Sequence, residues 1–181
     1  MGNNKKAVYH ESVKNKWFLL LFMLGLGLIL IWSKPFRPTK SSQPAKLEDH
    51  QLVQFTVKRD RQAQPVGLLT VEVVVSELAI EQGLSGRSVV PADGLLFVLP
   101  KRSIPRFWMK AMLFDLDIVW IDGSTIVDIT TNVPAPDPKT PLSDLPVYSP
   151  IQPVTRVLEI PSGQAQQYNL QVGDILEIAA P

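Results

Sequence analysis

The 181-residue sequence contains no cysteine and only two histidines, His10 and His50. Without cysteine the chain can form neither a disulfide nor a thiolate zinc site, and it has no cysteine nucleophile. Both histidines precede the segments with strand-like patterns, so the folded domain is predicted to contain no imidazole for a Ser-His-Asp triad or a metal site. We therefore expect no metal and no cofactor, and these absences disfavour an enzyme.

Charge divides the chain into two parts of opposite sign. Residues 1–50 contain eight Lys/Arg and three Asp/Glu, a net charge of +5, whereas residues 51–181 contain ten and fourteen, a net charge of −4. A nucleic-acid-binding domain normally carries a basic excess on its folded part. The acidic second part therefore argues against nucleic acid as a partner.

One apolar run is long enough to suggest a membrane anchor. Residues 17–32 form a run of sixteen positions (32 − 17 + 1) without a charge, with Trp17 and Trp32 at its two ends. As a helix the run would be about 24 Å long, and Ser33 with the stems of flanking lysines would extend it towards the roughly 30 Å of a hydrocarbon core. No small-x-small cleavage site follows. The sequence predicts an uncleaved transmembrane anchor at residues 17–33.

The charges beside this run do not determine its orientation, because four Lys/Arg precede it and four follow it within the first fifty residues. A short N-terminal tail with a large C-terminal domain more often inserts with the tail inside. We therefore expect residues 1–16 to be a cytoplasmic tail and the C-terminal domain to be extracytoplasmic. Residues 34–50, rich in proline, serine and lysine, are predicted to be a flexible linker to a domain at 51–181.

Alternating apolar and polar residues dominate that domain, which indicates short, half-buried strands. The strand-like segments are 53–57, 69–75, 95–99, 116–121, 125–129, 156–160 and 175–178, with Pro100 expected to end the third. Asp122-Gly123 predicts a tight hairpin turn. Short helices are predicted after Ser76, which would be the N-cap, and at 164–168, with Asn169 at the left-handed end of the second. The fold class is mainly β, a β-sandwich or partly open barrel of about seven or eight short strands with two short helices.

A long segment between strands is rich in proline. Residues 133–153 contain seven prolines, at 134, 136, 138, 141, 146, 150 and 153. Proline cannot donate a ladder hydrogen bond, which excludes a central strand here. A loop of this length in a compact domain is usually functional or disordered.

The segment Phe107-Trp108-Met109-Lys110, followed by Leu116-Asp117, resembles the signature of the DUF192 family, a family of unknown function. Shorter matching pieces run in the family's order over about residues 66–179; they are Gly83-Leu84 with Arg87, Gly94-Leu95-Leu96-Phe97, Val157-Leu158-Glu159 with Gly163, and Val172-Gly173-Asp174. Ala111 occupies a position where an amide residue is common in the family. The resemblance implies a compact, mainly β domain, often exported, with no established reaction.

Lys110 is the most suggestive polar residue of this signature. In a continuous strand it would share a face with Trp108 and Met112 and would be partly desolvated. It would then be either a ligand-binding cation, or a base or nucleophile, or the partner of Asp117 or Glu159 in a structural ion pair.

Two functions follow from these residues. The first is an extracytoplasmic binding or accessory module, in which Arg87, Trp108, Lys110, Asp117 and Glu159 are the binding candidates and the proline-rich loop covers them. Its partners would be the membrane and a small anionic ligand or a protein of the cell envelope. The alternative is an envelope hydrolase or transferase that uses Lys110 with Asp117 or Glu159. The missing histidine and cysteine favour the first.

Overall fold

The computed structural model describes residues 46–179, and these belong to one compact unit that begins at Lys46. The predicted cytoplasmic tail, the predicted anchor at 17–33 and most of the predicted linker lie outside the described residues. Within the described part, no helix is both long enough and apolar enough to cross a bilayer.

The described residues form nine strands, two short α-helices and one 3-10 turn. The strands are β1 (Leu52–Lys58), β2 (Gly67–Val74), β3 (Gly94–Ser103), β4 (Phe107–Trp108), β5 (Leu116–Asp122), β6 (Thr125–Val133), β7 (Val147–Tyr148), β8 (Val154–Pro161) and β9 (Ile175–Ile178). The helices are α1 (Glu77–Gln82) and α2 (Gln164–Gln167), and the 3-10 turn is Leu142–Asp144. The predicted mainly β composition with two short helices is confirmed.

Seven of the strands close into a barrel in the order β1-β2-β3-β8-β5-β6-β9. The ring is closed by β9, which pairs with β1 at four positions and with β6 at one, Thr125 with Ile175. The β2–β3 pair is parallel and the others are antiparallel. The sequence alternatives of a sandwich or a partly open barrel are therefore replaced by a closed barrel. Alternation along a strand shows which side chains share a face but does not show whether the outer strands meet.

The sheet is covered by apolar side chains on both faces. The barrel interior holds residues of all seven strands with two from the α2 region; they are Val53, Phe55, Val57, Leu69, Val71, Val73, Leu96, Val119, Ile121, Ile126, Leu158, Ile160, Ala165, Leu170 and Leu176. A second cluster lies on the outer face; it consists of Val74, Ala79, Leu84, Leu95, Phe97, Met109, Met112, Leu116, Ile118, Trp120, Val133, Val154 and Val157. The outer cluster exists because α1 and the irregular segments after α1 and β3 cover this side of the barrel.

Two boundaries differ from the prediction. Strand β3 continues through Pro100 to Ser103, whereas the sequence predicted that it would end there. Its ladder with β8 shifts register between Val98 and Ser103, and an irregularity of this kind accommodates a residue without an N–H group. Residues 46–50, which were expected to be linker, contact the barrel: the N–H of His50 donates to the carbonyl of Val73 at 2.7 Å.

The proline-rich segment is folded over the signature. It contains the 3-10 turn, and its Val147–Tyr148 strand pairs with Phe107–Trp108 in a separate two-stranded sheet. The N–H of Ile151 also donates to a carboxylate oxygen of Asp128 at 3.2 Å. The loop therefore lies beside Trp108, one of the binding candidates that it was expected to cover.

Candidate functional site

The signature does not form one continuous strand. After Trp108 the chain makes a tight turn over Met109–Met112, closed by a 3.2 Å hydrogen bond from the N–H of Met112 to the carbonyl of Met109. Ala111 lies in the left-handed region, with φ of 54°. We call residues 109–112 the signature turn. The resemblance noted above implies an amide residue at this position, and asparagine tolerates the left-handed conformation better than other residues with a Cβ.

The segment after α1 holds the signature turn in place. The hydroxyl of Ser85 donates to the carbonyl of Lys110, and the N–H of Gly86 donates to the carbonyl of Ala111, both at 2.9 Å. The turn therefore has its backbone carbonyls fixed from one side, while the side chains of Met109 and Met112 are buried in the outer cluster.

Lys110 is exposed, and its Nζ lies 5.9 Å from the centroid of the Trp108 ring. Within residues 46–179 it forms no ion pair, so the predicted pairing with Asp117 or Glu159 is wrong. The turn, rather than a strand, directs this side chain to solvent. The cation stacks on an aromatic face, an arrangement that is attractive but leaves the charge available to a ligand.

A groove of about 420 Å³ lies between the signature and the proline-rich segment. Its lining residues are Arg106, Phe107, Trp108, Leu142, Ser143, Leu145 and Val147. Trp108 is 50% exposed, and Leu142 and Val147 are also exposed large apolar side chains. Arg106 is exposed as well and forms no ion pair with any residue that the structure describes. The groove thus combines an apolar surface with the cation of Arg106, and the cation of Lys110 lies over the ring of Trp108, which also lines the groove.

Phe107 connects this groove to the core. Its ring meets Phe97 at a centroid distance of 5.1 Å and Trp120 at 5.6 Å, both edge to face. The indole N–H of the fully buried Trp120 donates to the hydroxyl of Thr130 at 2.9 Å. Edge-to-face pairs add stabilisation beyond area burial, so the wall of the groove is anchored to the barrel.

Asp117 is not part of this groove. It is fully buried and faces the barrel interior, as the alternation with Leu116 and Ile118 predicts. Its two carboxylate oxygens accept hydrogen bonds from the N–H groups of Asn132 (2.9 Å) and Ala165 (3.0 Å). The second bond satisfies a free N–H in the first turn of α2, which is a capping role.

Arg87 pairs with Glu72, a residue that the sequence reasoning missed. Two guanidinium N–H groups donate to the two carboxylate oxygens of Glu72, both at 2.9 Å, and this pairing holds the pKa of Glu72 below its usual value. His50 Nδ1 lies 2.7 Å from the same carboxylate. The expectation that the domain contains no imidazole is therefore wrong. His50 lies in a segment without strand alternation, and nothing in the sequence connects it to Glu72.

Two further polar side chains near the signature have structural partners. Arg102 donates to both carboxylate oxygens of Asp122 at 3.0 Å, and Asp115 accepts from the N–H of Ala135 at 2.8 Å. Of the basic residues before the signature, Arg106 is the one that lines the groove. Within residues 46–179, no three His, Asp or Glu side chains are close enough to hold a metal ion.

Glu159 has the most unusual environment. In the register of the barrel Glu72 pairs with Leu95, Leu95 with Glu159, and Glu159 with Ile118, so these four residues form one row on the outer face. Glu159 is 6% exposed, and among the described residues no hydrogen bond or ion pair reaches its carboxyl. Burial raises the pKa of Glu159 to about 8.

Comparison with known proteins places this geometry in a family. The model of DUF192, described as uncharacterized ACR, matches residues 56–178. The chain belongs to the DUF192 family. The predicted resemblance is confirmed, and the match includes the signature, the groove-lining segment and Glu159.

Solved structures similar to this DUF192 domain share its fold. A protein of Sinorhizobium meliloti 1021, described as a putative transcription regulator, is 26% identical, with a TM-score of 0.60 over 74% of this chain and 98% of the other. A protein of unknown function from Novosphingobium aromaticivorans DSM 12444 is 22% identical, with a TM-score of 0.57 over 77% of this chain and 98% of the other. No curated protein matches the sequence.

Proposed function

We propose that this DUF192 protein is a binding module that holds a small anionic ligand, or an acidic segment of a partner protein, in the groove beside Trp108. The observation that carries the proposal is the stacking of Lys110 over Trp108 at the rim of the groove, with Arg106 on its lining. Two cations and an exposed indole suit a ligand that has both an anionic group and an apolar body.

The composition of the groove supports binding more than catalysis. Its lining includes one hydroxyl, that of Ser143, which donates to Asp144 at 2.9 Å. Lys110 lies on the exposed turn, whereas Asp117 is committed to the start of α2 on the interior face. The alternative hydrolase or transferase would need Lys110 beside Asp117 or beside Glu159. The described residues form neither pair.

A solvated lysine is also a poor nucleophile or base at neutral pH. A lysine nucleophile is usually desolvated in an apolar pocket or placed beside another cation, and Lys110 is exposed. DNA is disfavoured as a partner, although one similar structure carries a regulator description. Residues 51–181 have a net charge of −4, which is the wrong sign for a domain that binds the phosphate backbone.

We further propose that residues 17–32 anchor the domain at the outer face of the membrane. The uncharged run with tryptophan at both ends supports this placement. Protease added to intact cells should then digest the domain. Protection in intact cells, with digestion after lysis, would reverse the orientation, and recovery of the full chain in the soluble fraction would overturn the anchor.

Titration of the full chain in detergent with 4-phenylbutyrate tests the groove, since this probe joins a carboxylate to an aromatic ring. We expect saturable quenching of Trp108 fluorescence, measured as the part of the signal that is lost in a Trp108→Phe variant. A double variant, Arg106→Ala with Lys110→Ala, should weaken binding at least tenfold, because each charge-assisted hydrogen bond contributes roughly 1.5–3 kcal/mol.

Arg61→Ala is the matched control, because it removes one exposed cation from the loop between β1 and β2. It should bind the probe like the wild type. If Arg61→Ala weakened binding as much as the double variant, the effect would be explained by overall charge. If the double variant bound the probe like the wild type, the groove would not be the binding site.

A further inference from the structure

A patch of apolar side chains extends beyond the groove. Residues 104–108 and 147–151 alternate between exposed and less exposed positions, so each segment presents one face to solvent. The exposed large apolar residues of this face and of the adjoining 3-10 turn are Ile104, Trp108, Leu142, Val147 and Ile151. We call these five residues the Trp108 patch. A small ligand in the groove would leave part of the patch uncovered, because Ile104 and Ile151 do not line the groove.

The small two-stranded sheet brings the patch together. Trp108 pairs with Val147, so their exposed side chains lie directly opposite each other. The two isoleucines of the patch lie three residues beyond the other pair of this ladder, at the same end of the sheet. Phe107 and Tyr148, which form that pair, pack against the outer cluster of the barrel. The patch is therefore the solvent-facing side of a sheet whose opposite side is fixed to the core.

The basic residues of the domain are concentrated in the same two parts of the chain. Residues 100–113 contain four Lys/Arg and no Asp/Glu, and residues 134–153 contain one and two, a net charge of +3 for the two segments. The rest of residues 51–181 contains five and twelve, a net charge of −7. Arg106 and Lys110 form no ion pair within the described chain. The patch is thus bordered by the positive part of an otherwise acidic domain.

We propose that the Trp108 patch docks the domain on an anionic membrane surface, with the phosphate of a lipid headgroup held by Arg106 and Lys110. This inference rests on the proposed function, since a lipid supplies both the anionic group and the apolar body that suit the groove. Apolar patches that are exposed on a folded domain commonly mark sites of protein or membrane contact. Tryptophan beside basic residues is typical of the boundary between headgroups and acyl chains.

The chain before the domain favours a membrane over a free acidic protein as the occupant. The uncharged run proposed as the anchor ends at residue 32, and thirteen residues (45 − 33 + 1) separate it from the domain that begins at Lys46. Thirteen residues span at most about 45 Å. A tether of this length keeps the local concentration of the bilayer surface high, so that a small patch is sufficient for docking. A free protein partner usually requires a contact of about 800 Å² on each side.

Fluorescent labelling of single cysteines tests the docking, because the natural chain has no cysteine. In the full chain, incorporated in vesicles, Leu142→Cys carries an environment-sensitive dye on the patch and Leu68→Cys carries it on β2. The two leucines are a matched pair, since they are 55% and 52% exposed. Vesicles that contain phosphatidylglycerol should shift the emission at position 142 to the blue and at least double it, relative to phosphatidylcholine alone. The emission at position 68 should be the same in both.

The response at position 142 should depend on the two cations. Each basic residue close to an anionic bilayer strengthens association roughly fivefold. Arg106→Ala with Lys110→Ala should therefore remove the difference between the two lipid compositions, whereas the control Arg61→Ala should retain it. Quenching of Trp108 by brominated phosphatidylglycerol gives a second readout without a dye, measured as the part of the signal that is lost in Trp108→Phe.

Several results would overturn the docking. These are equal responses at positions 142 and 68, equal responses in the two lipid compositions, and no response at either position. If glycerol 3-phosphate reproduced the response in phosphatidylcholine vesicles, the groove would hold a free phosphate compound instead of a headgroup. If soluble polyglutamate did so, the patch would bind an acidic protein segment, and in either case the docking would be wrong.

The titration with 4-phenylbutyrate in detergent keeps the two proposals separate. Saturable binding of this probe, together with no response in anionic vesicles, would retain the groove and overturn the docking. Absence of both would overturn both. A full chain that does not float with the vesicles in a density gradient would overturn the anchor and the docking, and would leave the groove to be decided by the probe.

Discussion

Glu72 and Glu159 lie in the same row of the outer face, separated by Leu95, and their carboxyl groups have opposite environments. Their strands are two apart, which corresponds to about 10 Å. Arg87 lowers the pKa of Glu72, whereas burial without a partner raises the pKa of Glu159 to about 8. One face of the barrel therefore carries two carboxyl groups whose pKa values are shifted in opposite directions.

The first prediction concerns pH and stability. Burial raises the pKa of Glu159 from 4.5 to about 8. The contribution of this group to the free energy of unfolding is therefore fully present below pH 4.5 and is lost as the pH rises through 8. The loss is up to roughly 5 kcal/mol, at about 1.4 kcal/mol per pH unit. Urea unfolding from pH 4.5 to 9 should show this decline in the wild type. Glu159→Gln should flatten it and be the more stable protein at pH 9; parallel pH profiles would contradict the prediction.

Ala111→Asn should stabilise the protein by about 0.5–1 kcal/mol, since asparagine tolerates the left-handed conformation that alanine resists. The measurement is the midpoint of chemical denaturation. Ala135→Asn is the control, because Ala135 is not among the described residues with positive φ. A gain at position 135 equal to that at 111 would point to a general effect of asparagine.

Arg87→Met should cost roughly 3 kcal/mol, because it leaves the carboxylate of Glu72, which is 8% exposed, without its bidentate partner. The pKa of Glu72 is lowered by Arg87, so this stabilisation is present above pH 4.5 and is lost as pH falls through the folded-state pKa. The variant should therefore lose part of the wild-type sensitivity to acid. Arg102→Met breaks the solvent-exposed pair with Asp122 and should leave stability unchanged.

Asp117→Ala should destabilise the domain by roughly 2–3 kcal/mol, because two N–H groups, of Asn132 and Ala165, lose their acceptor at a buried position. Thermal melting measures the effect. Lys110→Met, by contrast, should leave the melting temperature almost unchanged, since this lysine is exposed and unpaired within the described chain. Equal losses in the two variants would support the ion pair that the structure lacks.

Much of the barrel could be predicted because its strands, turns and helix caps are determined by residues close together in the sequence. Alternation and one apolar run identified the seven strands of the barrel but not the short β4 and β7. Asp122-Gly123 identified the β5–β6 hairpin, and Ser76 was correctly predicted as the cap of α1, where its hydroxyl accepts from the N–H of Ala79 at 3.2 Å. Asn169 was predicted to end α2 in the left-handed conformation, and its φ is 51°.

The site was harder to predict because it depends on residues that are far apart in the sequence. The row of Glu72, Leu95 and Glu159 depends on β3 lying between β2 and β8, and strand order is not visible in a single sequence. The position of Lys110 depends on the left-handed Ala111, a residue that rarely adopts that conformation. The sequence therefore named Glu159 and Lys110 as candidates, with a Lys110 ion pair to Asp117 or Glu159 as one alternative, whereas the structure buries Glu159 and exposes Lys110.

The closed order of the seven strands also limits how copies of this protein can associate. A cylinder has no first or last strand, so each barrel strand has a neighbour on both sides. The shortest ladder of the barrel is that of β6 with β9, which consists of the single pair Thr125 and Ile175. In the described residues, addition of a strand from another copy is therefore restricted to the part of β6 beyond Thr125 and to the small sheet of Phe107–Trp108 and Val147–Tyr148, which is two residues long. Most contacts between copies must then use side chains.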